Sequence, residues 1–194
     1  FVLWVDLRTA FPSLSRPILI QKMWQCGVSL ALCRIMLAIL DCTSSLVCIG
    51  QFISKPFQEV LGVREGAVES PHAFNMYVGD LRQKIEAAHP RLCKLMGVIV
   101  AVILYADDAA IPADSPEDLQ LAADIFQDFC NSHRLFFATS KTFVTVFHPV
   151  GDTGVVFQDG QVFVDGVLVD IQVYGEKVTA VPTFKYFGVV LNST

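Results

Sequence analysis

Two adjacent carboxylates set into an otherwise apolar, β-branched stretch constrain this chain more than any other feature. Val98 to Tyr105 is a near-continuous β-forming run, Asp107-Asp108 interrupts it, and Ala109 to Pro112 resumes it. The simplest reading is a strand, a two-residue acidic turn and a second strand. Charge at such a tip is costly unless solvent or a cation neutralises it. Asp6 ends another apolar strand, Val2 to Asp6, in the same manner. Laid side by side, these strands bring Asp6 and Asp107 together. A lone Asp-Asp is an ordinary exposed turn; with Asp6 added, the three acids form a candidate site for divalent cations. Phosphoryl transfer onto a hydroxyl uses two such ions roughly 3.5–4 Å apart, held by carboxylates from at least two places in the chain. Mg²⁺ takes oxygen ligands and keeps several waters, so two or three aspartates are sufficient.

The remaining segments define the fold class. Helical periodicity covers about Arg16 to Cys26 and Ser29 to Leu40, and strands are expected over Ser44 to Ile49 and Gln51 to Phe57. After a glycine-containing turn from Gly62 to Gly66, Ser70-Pro71 opens a helix predicted to run to about Ala88, with Ser70 as its cap. Ser115-Pro116-Glu117-Asp118 is a stronger start signal, and Leu119, Ala122, Phe126 and Phe129 then recur on one face of a helix. From Phe136 onward the chain reads as strands at Phe143–Phe147, Val155–Phe157, Val162–Val164, Val167–Val173 and Tyr186–Leu191, with hairpin turns at Asp159-Gly160 and Asp165-Gly166. Helices mixed with antiparallel strands, without βαβα alternation, point to an α+β fold.

Composition narrows the function classes. The chain has 194 residues, 53% of them hydrophobic, which is enough for one domain with a sizeable core. Phe1 opens the chain inside an apolar run, which reads as an interior strand of a longer protein. The longest uncharged apolar run, Leu95 to Ala106, is far short of the roughly 20 residues of a membrane span, so no membrane association is expected. Six cysteines at irregular spacing, without a Cys-x-x-Cys pair, predict buried free thiols in a reducing compartment rather than a zinc site or disulfide framework. A net charge of −5 argues against nucleic-acid binding, because phosphate affinity comes largely from Lys and Arg.

Against that charge stands an ordered set of motifs. Val5-Asp6-Leu7-Arg8-Thr9-Ala10-Phe11 resembles motif A of reverse transcriptases, and Gly62-Val63-Arg64-Glu65-Gly66 through Ser70-Pro71 and Phe74-Asn75 resembles motif B. Tyr105 to Asp108 resembles motif C, Arg134 to Thr142 motif D, and Phe184-Lys185-Tyr186-Phe187-Gly188 the primer-grip motif E. The chain therefore resembles the palm of a reverse transcriptase of the non-LTR, LINE-type retrotransposon family, an RNA-directed DNA polymerase. The resemblance implies a single palm domain over residues 1–194, an antiparallel sheet flanked by helices, with fingers and thumb largely missing and the thumb starting near 184–194. It also answers the charge, since the basic residues that grip nucleic acid in this family lie mainly in fingers and thumb.

The same resemblance implies roles. Asp6 and Asp107 would be the principal ligands of two Mg²⁺ ions, for which Mn²⁺ could substitute, with Asp108 the weaker third acid. Phe11 matches the ring that packs beneath the sugar and excludes a 2′-hydroxyl; taken alone it reads as core. Arg64, Glu65, Gly66 and Tyr105 would face the incoming nucleotide. Lys141 matches the motif D lysine that protonates or stabilises the leaving pyrophosphate; by itself it reads as a solvated lysine. Phe184, Lys185, Tyr186 and Gly188 would position the primer. The implied partners are an RNA template, a DNA primer and dNTPs, and an active element would work in the nucleus. Two departures bear on nucleotide binding: Pro12 follows Phe11 where the family usually has Asp, and Glu65 replaces the glutamine of Arg-Gln-Gly. They motivate an alternative, a retroelement relic that folds without catalysing anything. A nuclease would also use paired aspartates but leaves motifs B and E without a role.

Overall fold

A computed structural model describes residues 1–88, 93–95, 97–149, 151, 153–186 and 188–193. The architecture is α+β, as the segment pattern predicts. The chain divides into two compact units, one of residues 1–8, 80–132 and 136–194, the other of residues 9–79 and 133–135.

The first unit is built on a five-stranded sheet in the order Thr179–Ala180, Phe143–Thr145, Val2–Asp6, Asp108–Pro112, Ile103–Tyr105. Its pairs are antiparallel except the outermost one, where Phe143–Thr145 and Thr179–Ala180 run parallel. The central position of Val2–Asp6 explains why its sequence is apolar on both faces. Leu3 and Val5, with Ala109, Ile111 and Val144 of the neighbouring strands, are at most 3% exposed. Trp4 and Asp6 point to the opposite face, by the two-residue period of a strand.

The Pro116–His133 helix has the predicted start, with the Asp118 amide donating to Ser115 Oγ at 3.1 Å. Its stripe of Leu119, Ala122, Phe126 and Phe129 is buried, and the Phe126 ring lies 4.9 Å from that of Phe137. The leucine and the two phenylalanines each contribute roughly 1.5–3 kcal/mol on burial, which is what holds a helix of mixed polarity in place. The Asp159-Gly160 and Asp165-Gly166 turns join Val155–Gln158, Gln161–Val164 and Val167–Val169 into a three-stranded meander. All four turn residues have positive φ, between 50° and 78°, as two-residue hairpin turns of this type require.

The second unit is helical. Arg16–Gln25 contacts both Leu30–Asp41 and Ser70–Val78 around Leu14, Leu19, Met23, Leu40, Phe74 and Tyr77. The fully buried Tyr77 hydroxyl donates to the His133 carbonyl at 2.5 Å and accepts from the Ser15 amide at 3.3 Å. Between these helices, Ser44–Ser45 pairs with Phe57–Gln58 and Cys48–Ile49 with Phe52–Ile53, so the two expected strands form as short, interrupted ladders. Gly62 (φ 75°) passes so close to the chain that a Cβ there would sit 2.5 Å from the Pro12 carbonyl oxygen, and no other residue fits.

Several expectations need correction. The helix predicted over Ser70 to Ala88 is two, Ser70–Val78 and Leu81–Ala88, divided at Gly79-Asp80. Glycine weakens a helix interior, and the Asp80 carbonyl starts a new helix by accepting from Lys84 N at 3.0 Å. Ser70 lies inside its helix rather than capping it, and its hydroxyl donates to the Arg64 carbonyl. The run from Val98 to Tyr105 is two strands, Val98–Ile99 and Ile103–Tyr105, broken at Val100 to Val102; Gly97 (φ 82°) turns the first back onto Lys94–Leu95. Tyr186 to Leu191 is not one strand but the turn of a hairpin pairing Thr183–Tyr186 with Val189–Asn192, at Gly188 (φ 80°); Phe187 lies outside the described residues. Of the cysteines, Cys33 and Cys130 are buried and Cys93 half-buried, whereas Cys26, Cys42 and Cys48 are exposed; all are free thiols. Their apolar sequence neighbours misled: Leu32, Ile35, Ile39 and Phe52 are themselves more than half exposed. No described helix is long and apolar enough to cross a membrane.

Candidate active site

The acidic hairpin of the first unit departs from its expected geometry by one residue. Tyr105 pairs with Asp108, so the turn is Ala106-Asp107 and Asp108 is the first residue of the returning strand. The Ala106 backbone is left-handed, with φ 52°, a conformation that costs an L-residue on the order of 1 kcal/mol. The shift decides which carboxylate meets Asp6. In register, Asp6 lies directly opposite Asp108, on one face of the sheet, while the Asp107 carbonyl accepts from Leu7 N at 2.8 Å.

Motif D is brought to the same place by backbone pairing. The Ala138 amide donates to the Asp6 carbonyl and the Arg8 amide to the Phe136 carbonyl, both at 2.8 Å. A short 3₁₀ turn, Thr139–Lys141, follows, and from it the Lys141 ammonium reaches Asp6 Oδ2 at 3.2 Å.

Aromatic contacts dock the Thr183–Tyr186 strand on the same sheet face. Trp4 stacks on Phe184 at 4.8 Å, with the planes 16° apart, and its ring lies 4.9 Å from that of Tyr186. Phe143 is 5.8 Å from Phe184. Trp4 Nε1 donates to Thr145 Oγ1 at 3.2 Å, which fixes the indole that carries these rings. A cavity of ≈ 290 Å³ results, lined by Asp6, Asp108, Lys141, Phe184, Lys185 and Tyr186 among others.

The electrostatics follow from crowding acids beside apolar rings. Burial raises the Asp108 pKa first; the charges of Asp107 and Asp6 add to it, and Lys141 partly offsets them. The Tyr186 phenol is pushed up to about 12 by burial and by the charge of Asp108. The donor chemistry fits a hard, oxygen-ligated cation that keeps most of its waters. Among the described residues no three His, Cys, Asp or Glu side chains form a closed metal-holding group, so the fit rests on two opposed carboxylates and an adjacent third.

One face of an antiparallel sheet thus gathers two opposed acids, a lysine and a docked aromatic hairpin, with a third acid on the adjoining turn. The chain belongs to the reverse transcriptase (RNA-dependent DNA polymerase) family, whose sequence profile matches residues 1–191. Among solved structures it is similar to apo telomerase from Candida tropicalis, truncated from its C-terminal domain, at 14% identity and TM-score 0.57, covering 84% of this chain and 33% of that one. It is also similar to telomerase from Candida albicans in complex with a TWJ fragment of telomeric RNA, at 13% identity and TM-score 0.55, covering 86% and 30%. At these identities the likeness is one of fold, and the chain spans about a third of those proteins. No curated protein sequence matches it.

Of the residues singled out in the sequence, Asp6, Asp108, Lys141, Phe184, Lys185 and Tyr186 share one cavity. Asp107 sits half-buried on the adjoining turn, Tyr105 is 65% exposed beside it, and Gly188 turns the docked hairpin. Phe11, Arg64, Glu65 and Gly66 belong to the second unit, where the half-buried Phe11 ring lies 5.1 Å from that of Phe74. Arg64, Glu65 and Gly66 are exposed in a turn, and the first two line a separate cavity of ≈ 550 Å³. Sequence reasoning missed Trp4, although its position two residues before Asp6 on the same strand face was the available signal. It also missed Arg16, whose place at a helix start gave none.

Proposed function

We propose that this chain is the catalytic palm of an RNA-directed DNA polymerase of the non-LTR, LINE-type retrotransposon class, which extends a DNA primer with dNTPs on an RNA template. The observation that carries the reading is the convergence of residues from four separated segments, Asp6, Asp108, Lys141 and Phe184–Tyr186, on one cavity. Asp6, Asp107 and Asp108 would hold Mg²⁺, which when bound supplies Lewis-acid activation of the primer hydroxyl and neutralises developing phosphate charge. Asp6 and Asp107 act as the principal ligands and Asp108 as the third. Lys141 would donate a proton or a charge-assisted hydrogen bond to the departing pyrophosphate, a role supported by its contact with Asp6. Phe184, Lys185, Tyr186 and Gly188 orient the primer terminus, Lys185 through its exposed ammonium. Tyr105, Phe11, Arg64, Glu65 and Gly66 are assigned to nucleotide selection on the resemblance alone.

The test is primer extension by the chain on an RNA template with dNTPs and Mg²⁺. Incorporation that disappears in Asp6→Asn and Asp107→Asn supports the reading; incorporation that survives both contradicts it. A second reading, an inactive relic, is favoured by the Glu65 carboxylate on the ≈ 550 Å³ cavity, where it would repel a triphosphate. Glu65→Gln separates the two, because activity gained only in that variant identifies a decayed enzyme.

A further inference from the structure

Arg16 is the most thoroughly buried cation described, 5% exposed, and it forms no ion pair with a carboxylate among the described residues. Its guanidinium instead collects three backbone carbonyls of the second unit. Nε donates to Gly62 O at 3.0 Å, and Nη1 donates to Leu40 O at 2.7 Å and to Glu59 O at 2.6 Å. Nη2 is buried with no partner among the described residues. The nearby acid, Glu59, directs its carboxylate to the Ser45 hydroxyl instead.

A buried charge held only by carbonyl dipoles is expensive, so its position has to accomplish something a neutral side chain could not. Two of the three acceptors lie in one irregular segment, Glu59 to Gly62, and the third, in the last turn of the Leu30–Asp41 helix, also accepts from the Thr43 amide at 3.2 Å. The rigid fork of arginine meets divergent acceptors in a fixed geometry, which a point ammonium does not. The segment so tied continues directly into Val63-Arg64-Glu65-Gly66, and Glu59, Arg64 and Glu65 line the same cavity. The amides beyond the tie are also fixed, Gly62 N to Leu14 O at 2.8 Å and Val63 N to Phe11 O at 3.0 Å.

We propose that Arg16 is the positioning residue of this loop: by binding three carbonyls it sets the conformation in which Arg64, Glu65 and Gly66 are presented. The nucleotide-facing role of those three residues rests on the polymerase reading; the tie itself does not.

The test compares amide hydrogen exchange in the 194-residue chain with Arg16→Met and Arg16→Lys. Loop positioning predicts exchange at Gly62 and Val63 at least about tenfold faster in Arg16→Met, with Ala73 and Leu19 amides of the flanking helices unchanged. Arg16→Lys, which keeps the charge and loses the fork, gives an intermediate rate and serves if the methionine variant does not fold. Unchanged loop exchange overturns the proposal, and so does equal acceleration throughout the unit, which marks a general strut. A kinetic arm tests the nucleotide part: Arg16→Lys should raise KM for dNTP several-fold with kcat within about twofold, whereas a fall in kcat alone overturns it. If the unmodified chain extends no primer, the polymerase reading fails, and the exchange rates still decide the role of Arg16.

Discussion

The two units place charge in apolar surroundings in opposite ways. In the first, like charges are gathered: Asp6 stands opposite Asp108 with Asp107 beside them, and only Lys141 opposes them among the described ion pairs. In the second, one cation is enclosed and its carbonyl acceptors are supplied by the backbone around it. The first arrangement leaves the Asp108 pKa raised, by burial first and then by the charges of Asp107 and Asp6, and on the proposed function an added cation would complete it. The second is nearly complete as folded and shapes a loop. An unbalanced cluster marks a candidate site; a buried charge bonded to backbone carbonyls marks architecture.

Breaking the first arrangement should have the largest effect. Asp6→Asn or Asp107→Asn should lower primer extension by at least about 10²–10³-fold, with the fold intact by circular dichroism. Breaking the second costs stability instead: Arg16→Met leaves the Gly62 and Glu59 carbonyls without the guanidinium and should lower unfolding free energy by about 2 kcal/mol, or roughly 4–8 °C in Tm. Tyr77→Phe removes two buried bonds, to the His133 carbonyl and from the Ser15 amide, and should cost about 1–2 kcal/mol by chemical denaturation.

The smallest effects sharpen the comparison because their signs differ. Lys141→Met loses a largely exposed pair and should destabilise by less than about 1 kcal/mol, an effect that fades in high salt. Asp108→Asn should stabilise, by about 0.2–1 kcal/mol, because like charges opposed across a strand pair repel. The pH dependence follows from the direction of the shift. A carboxyl whose pKa is raised on folding binds its proton more tightly in the native state, so its contribution is most favourable below the unfolded pKa and is lost as pH rises through the folded value. The advantage of Asp108→Asn is therefore full at neutral pH and disappears on acidification below the ordinary carboxylate range.

Much of this was legible in the sequence. Local signals were enough for the Val2–Asp6 strand, the helix opened by Ser115-Pro116 and the two Asp-Gly turns, because each rests on chemistry within a few residues. The convergence of Asp6, Asp108, Lys141 and Tyr186 was legible only through the ordered motifs. Periodicity failed where local backbone decided the outcome: Gly79 divided a helix, Gly188 turned a hairpin inside an expected strand, and the Val98 to Tyr105 run broke at Val100 to Val102. The one-residue shift of the acidic turn reflects strand pairing with Asp6, which an isolated hairpin does not reveal. Burial of Arg16 depends on carbonyls 24 to 46 residues away, beyond any local pattern.

Mn²⁺ binding, followed by electron paramagnetic resonance on the unmodified chain and on Asp6→Asn, tests most directly whether the clustered acids form a cation site. The account predicts saturable binding to the unmodified chain and a loss of at least about tenfold in affinity when Asp6 is neutralised. Equal binding by the two proteins would contradict it.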